Sequence, residues 1–204
     1  MHHIGSRLHT VPLKQLRPTQ MTVGFREVRA KQEEWAALGK KKRIAAMAEE
    51  FFPAVMGPRN AYYILDHHHS AVALDREGAK DVRVGIVKDL SALGTEAFWV
   101  YLDHLSWVHP YDKDGRRRPL KEMPGTLSGL RDDPYRSLAG AVRDRGGFAK
   151  SDAPFLEFLW TNYLRATVKA KAVKSHFDKT VAQALKLAHS HDAQYLPGWV
   201  GKRK

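Results

Sequence analysis

Four apolar residues, Tyr62-Tyr63-Ile64-Leu65, stand directly before a polar turn, Asp66-His67-His68-His69, and an apolar-periodic segment then opens on Ser70. The first run reads as a buried strand and the segment after the turn as a short helix that Gly78 closes. Asp81-Val82-Arg83-Val84-Gly85-Ile86-Val87 reads as the next strand. Upstream, Leu8–Leu13 is extended, and Leu16-Arg17-Pro18 turns away because a residue before proline avoids helical geometry. A helix follows from about Val23, with Phe25, Val28 and Trp35 on one face and Glu27 and Lys31 spaced i,i+4 on another, the spacing of a solvated ion pair. Ile44–Phe52 is expected to be helical and to end at Pro53. Ala54–Pro58 is expected to be a short strand, joined to the central one through the turn Gly57-Pro58-Arg59-Asn60.

Downstream, Ser91 is the expected N-cap of a helix in which Phe98, Tyr101, Leu102 and Leu105 repeat at core spacing. That periodicity accounts for the aromatic residues as core, with no need of a base-stacking role. After a breaker-rich loop, Asp133 before Pro134 marks another helix start, and Gly146-Gly147 its stop. Leu138, Ala141 and Val142 face inward, while Arg136 and Arg143 share nearly one face. The chain from Phe155 to Lys186 is helical and basic, without a sustained heptad.

Composition changes this picture in one respect. Lys and Arg number 34 against 22 Asp and Glu, so the 204-residue chain carries a net charge of +12. Such an excess suits polyanions, DNA, RNA or nucleotides, with a membrane surface as the rival partner. No apolar run approaches the roughly eighteen residues of a spanning helix, and Met1–Ser6 lacks a signal peptide's apolar core, so a cytoplasmic location is expected. With no cysteine, disulfides and thiol chemistry are excluded.

Backbone N–H groups that open a helix after a strand suit a phosphate, and imidazoles there add donors whose charge depends on pH. Asp66, His67, His68, His69 and Ser70 are therefore the candidate phosphate ligands, for a nucleotide or a nucleic-acid backbone. In an extended turn His67 and His69 could also share a metal with Asp66, although a Mg²⁺ carried by nucleotide phosphates asks less of the protein. Arg136 and Arg143 either clamp a phosphate or decorate a surface helix. Lys31, the run Lys40-Lys41-Lys42-Arg43, and Arg116-Arg117-Arg118 are the candidate DNA contacts. Neither a Walker motif, a Rossmann fingerprint nor a nucleophile elbow is present.

Four stretches taken in order carry a resemblance: Val11-Pro12-Leu13 with Leu16-Arg17-Pro18-Thr19-Gln20, then Val23-Gly24 with Glu27-Val28 and Lys31, then Tyr63–His69, then Asp132–Gly140. Together the stretches resemble the ParB-like nuclease family of the ParB/sulfiredoxin superfamily. The resemblance implies an α+β fold, a small mixed sheet surrounded by helices. It implies a nucleotide-pocket domain over residues 8–150 with a basic helical extension, 151–204, packed on it as one unit. It also implies a phosphate pocket at the turn after the central strand, with Glu27 matching the catalytic glutamate of serine-kinase relatives. Lacking cysteine, the chain departs from sulfiredoxins. It also shows no helix-turn-helix of partition proteins.

The resulting expectation is an ATPase and non-specific DNase. Glu27, His68 and Arg136 would be catalytic, ATP and Mg²⁺ its cofactors with Glu27 as the possible Mg²⁺ ligand, and DNA its partner. A plasmid-borne fertility-inhibition factor of the superfamily is similar in length and basicity, which implies a role against DNA transfer through a type IV secretion component. The alternatives are a free-amino-acid kinase using the same pocket, and a nucleotide-gated binding module without catalysis.

Overall fold

The structure, a computed structural model, describes residues 8–201. The expectation for Met1–Ser6 lies outside those residues. Contacts divide the chain into two units, one holding residues up to Val23 and Val28–Arg131, the other Gly24–Glu27 and Asp132 onward. The division by contacts falls at Asp132. Apolar contacts decide this, because the Asp133–Asp144 segment packs its buried face on the C-terminal helices.

Unit 1 is built on a five-stranded mixed sheet of β1 (Leu8–Pro12), β2 (Leu16–Pro18), β4 (Phe51–Gly57), β5 (Ala61–Ile64) and β6 (Asp81–Asp89). Its order is β1-β6-β4-β5-β2, with β4 pairing antiparallel to β5 and parallel to β6. Two-residue strands β3 (Thr22–Val23) and β7 (Arg131–Asp132) form a second small ladder, begun by Arg131 N–H donating to Met21 O at 3.1 Å. Helices α1 (Phe25–Ala36), α2 (Lys40–Glu49), α3 (His68–Arg76) and α4 (Thr95–His104) connect the strands, the first residues of α1 belonging to unit 2.

The hairpin of β4 and β5 and the order strand, turn, helix follow the sequence expectation, but α3 begins at His68 and not at Ser70, so His68 and His69 lie in its first turn. Gly78 closes α3 at φ +73°, a left-handed position that costs glycine nothing. Two expectations are corrected. Phe51 and Phe52 belong to β4, not to the preceding helix: Pro53 pushes Phe52 into extended geometry, so the strand begins before the proline. The N-cap of α4 is Gly94, not Ser91, whose N–H is taken by Asp89 Oδ1 at 2.9 Å. Phe98 and Leu102 of α4 are fully buried on Val55, but Tyr101 is half-buried and Leu105 is 43% exposed.

Unit 2 packs α5 (Pro134–Asp144), α6 (Leu156–Thr167), α7 (Ala170–Ser175) and α8 (Phe177–Ala188) around Leu138, Val142, Trp160, Leu164 and Val181. Trp160 stacks flat on Phe148 with ring centroids 4.4 Å apart, and its Nε1–H donates to Pro197 O. Asp133 caps α5 and Pro134 takes its first position, as the sequence predicts.

Candidate functional site

In unit 1 the histidine turn is held rigid by its own neighbours. His67 sits in the left-handed region (φ 62°), an expense of about 1–2 kcal/mol for a residue with a Cβ. Asp66 Oδ1 accepts its N–H at 2.6 Å, and its Nδ1–H donates to Phe51 O at 2.9 Å. The ring stands edge-on to Phe51 and Phe52. The N-cap residue of α3, His67, makes no side-chain cap hydrogen bond to it. His69 and Ser70 lie half-buried on this turn.

His68 has a different surrounding from its neighbours. It is 3% exposed, and its Nε2 accepts the Thr19 N–H at 3.1 Å. An accepting Nε2 places the proton on Nδ1 and makes the ring neutral. Thr19 is tied twice more, its Oγ1 donating to Ile64 O at 2.8 Å and its carbonyl accepting from His109 N–H at 2.8 Å. The side chain expected to hold phosphate and to act in catalysis is therefore placed as a latch on the Thr19 peptide. Replacing His68 with phenylalanine would leave that buried N–H without its acceptor. The expected loss is about 1–3 kcal/mol of stability, read as a lower urea midpoint at unchanged slope. A midpoint equal to wild type would remove the latch assignment.

The basic candidates sort by their partners. Lys31 pairs with Glu50 at 2.9 Å and Glu34 at 3.6 Å, where the spacing had suggested Glu27. Arg43 pairs with Glu77, Arg117 with Asp103 at 2.5 Å, and Arg118 with Glu122 at 2.8 Å. Lys40, Lys41 and Lys42 are exposed in the first turn of α2, as is Arg116 in its loop. Three ammonium groups at a helix N-terminus oppose the macrodipole, and α2 buries none of its residues. Folding does not account for this placement, whereas a polyanion against it would.

In unit 2 the Asp132–Gly140 stretch acquires a joint explanation. Asp132 Oδ1 accepts the Phe25 N–H at 2.8 Å and Ser137 Oγ the Arg26 N–H at 3.3 Å, so both cap the start of α1. Arg136 Nη1 reaches Glu27 Oε1 at 2.7 Å, with the two side chains 8% and 21% exposed. A Cβ on Gly140 would stand 2.7 Å from Glu27 Cδ, and one on Gly24 2.8 Å from Glu27 Oε1. Two glycines therefore open a slot for one carboxylate, which Arg136 fills from the other side. A glycine inside a helix costs roughly 0.5–1 kcal/mol relative to alanine. That expense was the signal in Leu138-Ala139-Gly140-Ala141 that sequence reasoning passed over.

Arg136 also lies over the Phe158 ring, with its buried Nε lacking a partner among the described residues. Arg143, expected to join it as a phosphate clamp, is paired with Glu157 at 2.7 Å and with Asp144 at 2.9 Å. Burial pushes the Glu157 carboxyl up, but Arg136 and Arg143 more than offset this and hold it below its ordinary value. The two arginines thus order carboxylates, and Glu157, absent from the candidates, belongs to the same network.

Among the described residues no three His, Asp or Glu side chains converge as ligands, and Glu27 is committed to Arg136. Nor is any described helix long and apolar enough to cross a membrane.

A small mixed sheet with surrounding helices, a polar turn opening α3, defines an α+β protein. Residues 9–166 match the family described as "Putative ParB-like nuclease", and the chain belongs to that family, whose name connects it with nucleic acid. The crystal structure of protein Atu1540 from Agrobacterium tumefaciens is similar to this chain, with 41% identity and a TM-score of 0.91 over 97% of this chain and 98% of that one. No curated protein matches the sequence.

Proposed function

We propose that this protein hydrolyses phosphodiester bonds in DNA, with Glu27 as the general base. The observation that carries the reading is the Glu27 slot: a carboxylate oriented by Arg136, enclosed by Gly24 and Gly140, and still 21% exposed along its side chain. Glu27 would take a proton from water as the water oxygen bonds to phosphorus. The bond from phosphorus to the leaving sugar oxygen then breaks, and that oxygen takes a proton from solvent. Arg136 keeps the carboxylate aimed through its 2.7 Å bond. The backbone is held by exposed cations, foremost Lys40, Lys41 and Lys42, without reading sequence. The polar turn that opens α3 stands at a helix N-terminus, where the macrodipole favours an anion, so ATP is the natural second substrate to supply.

The test uses supercoiled plasmid and ATP in the same tubes, with and without Mg²⁺, reading nicks on a gel and phosphate release. Glu27→Gln keeps the size of the side chain and removes the base, so nicking should fall about 10²- to 10⁴-fold while DNA binding persists. Replacing Lys40, Lys41 and Lys42 together with alanine should weaken binding on every sequence and flatten its salt dependence. A wild type that leaves plasmid intact, or a folded Glu27→Gln protein that nicks at the wild-type rate, sinks the proposal.

A further inference from the structure

Register across the sheet of unit 1 aligns four residues. Arg17 on β2 pairs with Tyr63 on β5, Tyr63 with Val55 on β4, and Val55 with Lys88 on β6. Residues paired directly across strands share a face of the sheet, so a cation ends this row on each side. Helix α4 lies over its middle, with Phe98 and Leu102 buried against Val55.

Phe98 and Leu102 are the buried centre of this packing, and Trp99 and Tyr101 lie against its edge with part of each ring left open. Trp99 and Tyr101 are half-buried, and Val100 between them is 54% exposed. Trp99 stands at 86° to Tyr63 with centroids 5.3 Å apart, and Phe98 lies 4.5 Å from Tyr63. Lys88 Nζ sits 5.9 Å above the Tyr101 ring. Burial pushes the Tyr63 hydroxyl up, with Arg17 and the exposed Arg59 acting the other way, and Arg17 Nη1 also donates to Lys14 O at 2.9 Å. Of the carboxylates nearby on α4, Asp103 is already paired with Arg117, and Glu96 is exposed at the helix start.

We infer that this face of unit 1 binds single-stranded nucleic acid, with Trp99 on the Tyr63 flank of α4 and Tyr101 on the Lys88 flank each stacking a base while Arg17, Arg59 and Lys88 hold the phosphates. Stacking tolerates any base because every base has a π-face, and cations beside the rings follow the backbone. A protein partner would match the apolar strip of Trp99 and Val100, but it would have no use for a cation at each end. The inference rests on the nuclease reading and deepens it, since it names the strand form that the protein takes.

Fluorescence anisotropy with labelled oligo-dT and with a duplex of equal length tests it, alongside thermal melts of each variant. The wild type should prefer oligo-dT by at least about tenfold, the effect expected of one or two stacked bases. Trp99→Ala should lose most of that preference, Trp99→Phe should recover part of it, and duplex affinity should stay where Lys40, Lys41 and Lys42 set it. Should Trp99→Ala melt early, the double substitution of the exposed Arg59 and Lys88 with alanine decides, with the same loss expected. A wild type that favours duplex overturns the inference, as do variants that melt normally and keep the preference. Plasmid nicking without single-strand preference sinks this inference alone. Oligo-dT preference without nicking sinks the nuclease reading and leaves the binding face standing.

Discussion

Asp133→Ala should cost unit 2 about 3–5 kcal/mol, the largest stability loss expected of any single substitution considered. Asp133 is 1% exposed and serves two purposes at once. Its Oδ1 accepts from Tyr135 N–H at 2.9 Å and Arg136 N–H at 3.3 Å, which caps α5. Its other oxygen pairs with Arg165, whose guanidinium lies over the Tyr135 ring. Loss of the cap alone is worth about 1 kcal/mol, and the remainder comes from leaving a largely buried guanidinium without its counter-charge. Urea unfolding followed by helical circular dichroism measures it, and a loss under 1 kcal/mol would mean that Arg165 finds another partner at no expense.

Asp133→Asn separates the two purposes, because an amide oxygen still caps the helix. Burial pushes the Asp133 carboxyl above its ordinary value despite Arg165 and the two N–H groups. A carboxyl raised by folding contributes stability that is fully present below its unfolded pKa, about 3.9, and is lost as pH rises through the folded value. The advantage of wild type over Asp133→Asn should therefore shrink as pH is raised across that window. An advantage that grows with pH would show that Arg165, and not burial, governs the group.

Gly140→Ala should abolish nicking about as thoroughly as Glu27→Gln while changing no ionisable group. The added methyl would stand 2.7–2.9 Å from three atoms of the Glu27 carboxylate, closer than real contacts allow. Glu27 must then leave its slot, and Arg136 loses the 2.7 Å bond that orients it. Overpacking of this kind costs about 1–3 kcal/mol, against which the better helix propensity of alanine returns less than one. A folded Gly140→Ala protein with wild-type nicking would show that the pose of Glu27 has no bearing on the reaction. Gly140→Ala with normal stability and no nicking is the strongest outcome, since it ties the slot to chemistry and not to folding.

The sheet and most helices were legible because their signals are local. Alternating and periodic apolar residues, Pro134 after Asp133, and Gly78 at a left-handed position each act within a few residues. Where such signals failed, another local rule had won. Phe52 reads as helical by its neighbours upstream, yet Pro53 makes it extended. The half-exposed rings of α4 were another case, for a helix with apolar residues on two sides satisfies the core stripe and still leaves a second face.

By itself the sequence determined the family, the α+β architecture, the strand–turn–helix around the three histidines and the cationic balance. Only the tertiary structure decided what each charged or polar group does. Lys31 turned to Glu50 and Glu34, Arg143 to Glu157, and His68 to the peptide of Thr19. The partner of Glu27 lies 109 positions away, and that of His68 lies 49. Spacing along a helix or strand speaks only for neighbours within a turn or two. Which distant groups meet is set by how apolar faces pack, and an ion pair or a hydrogen bond forms wherever that packing brings its ends together.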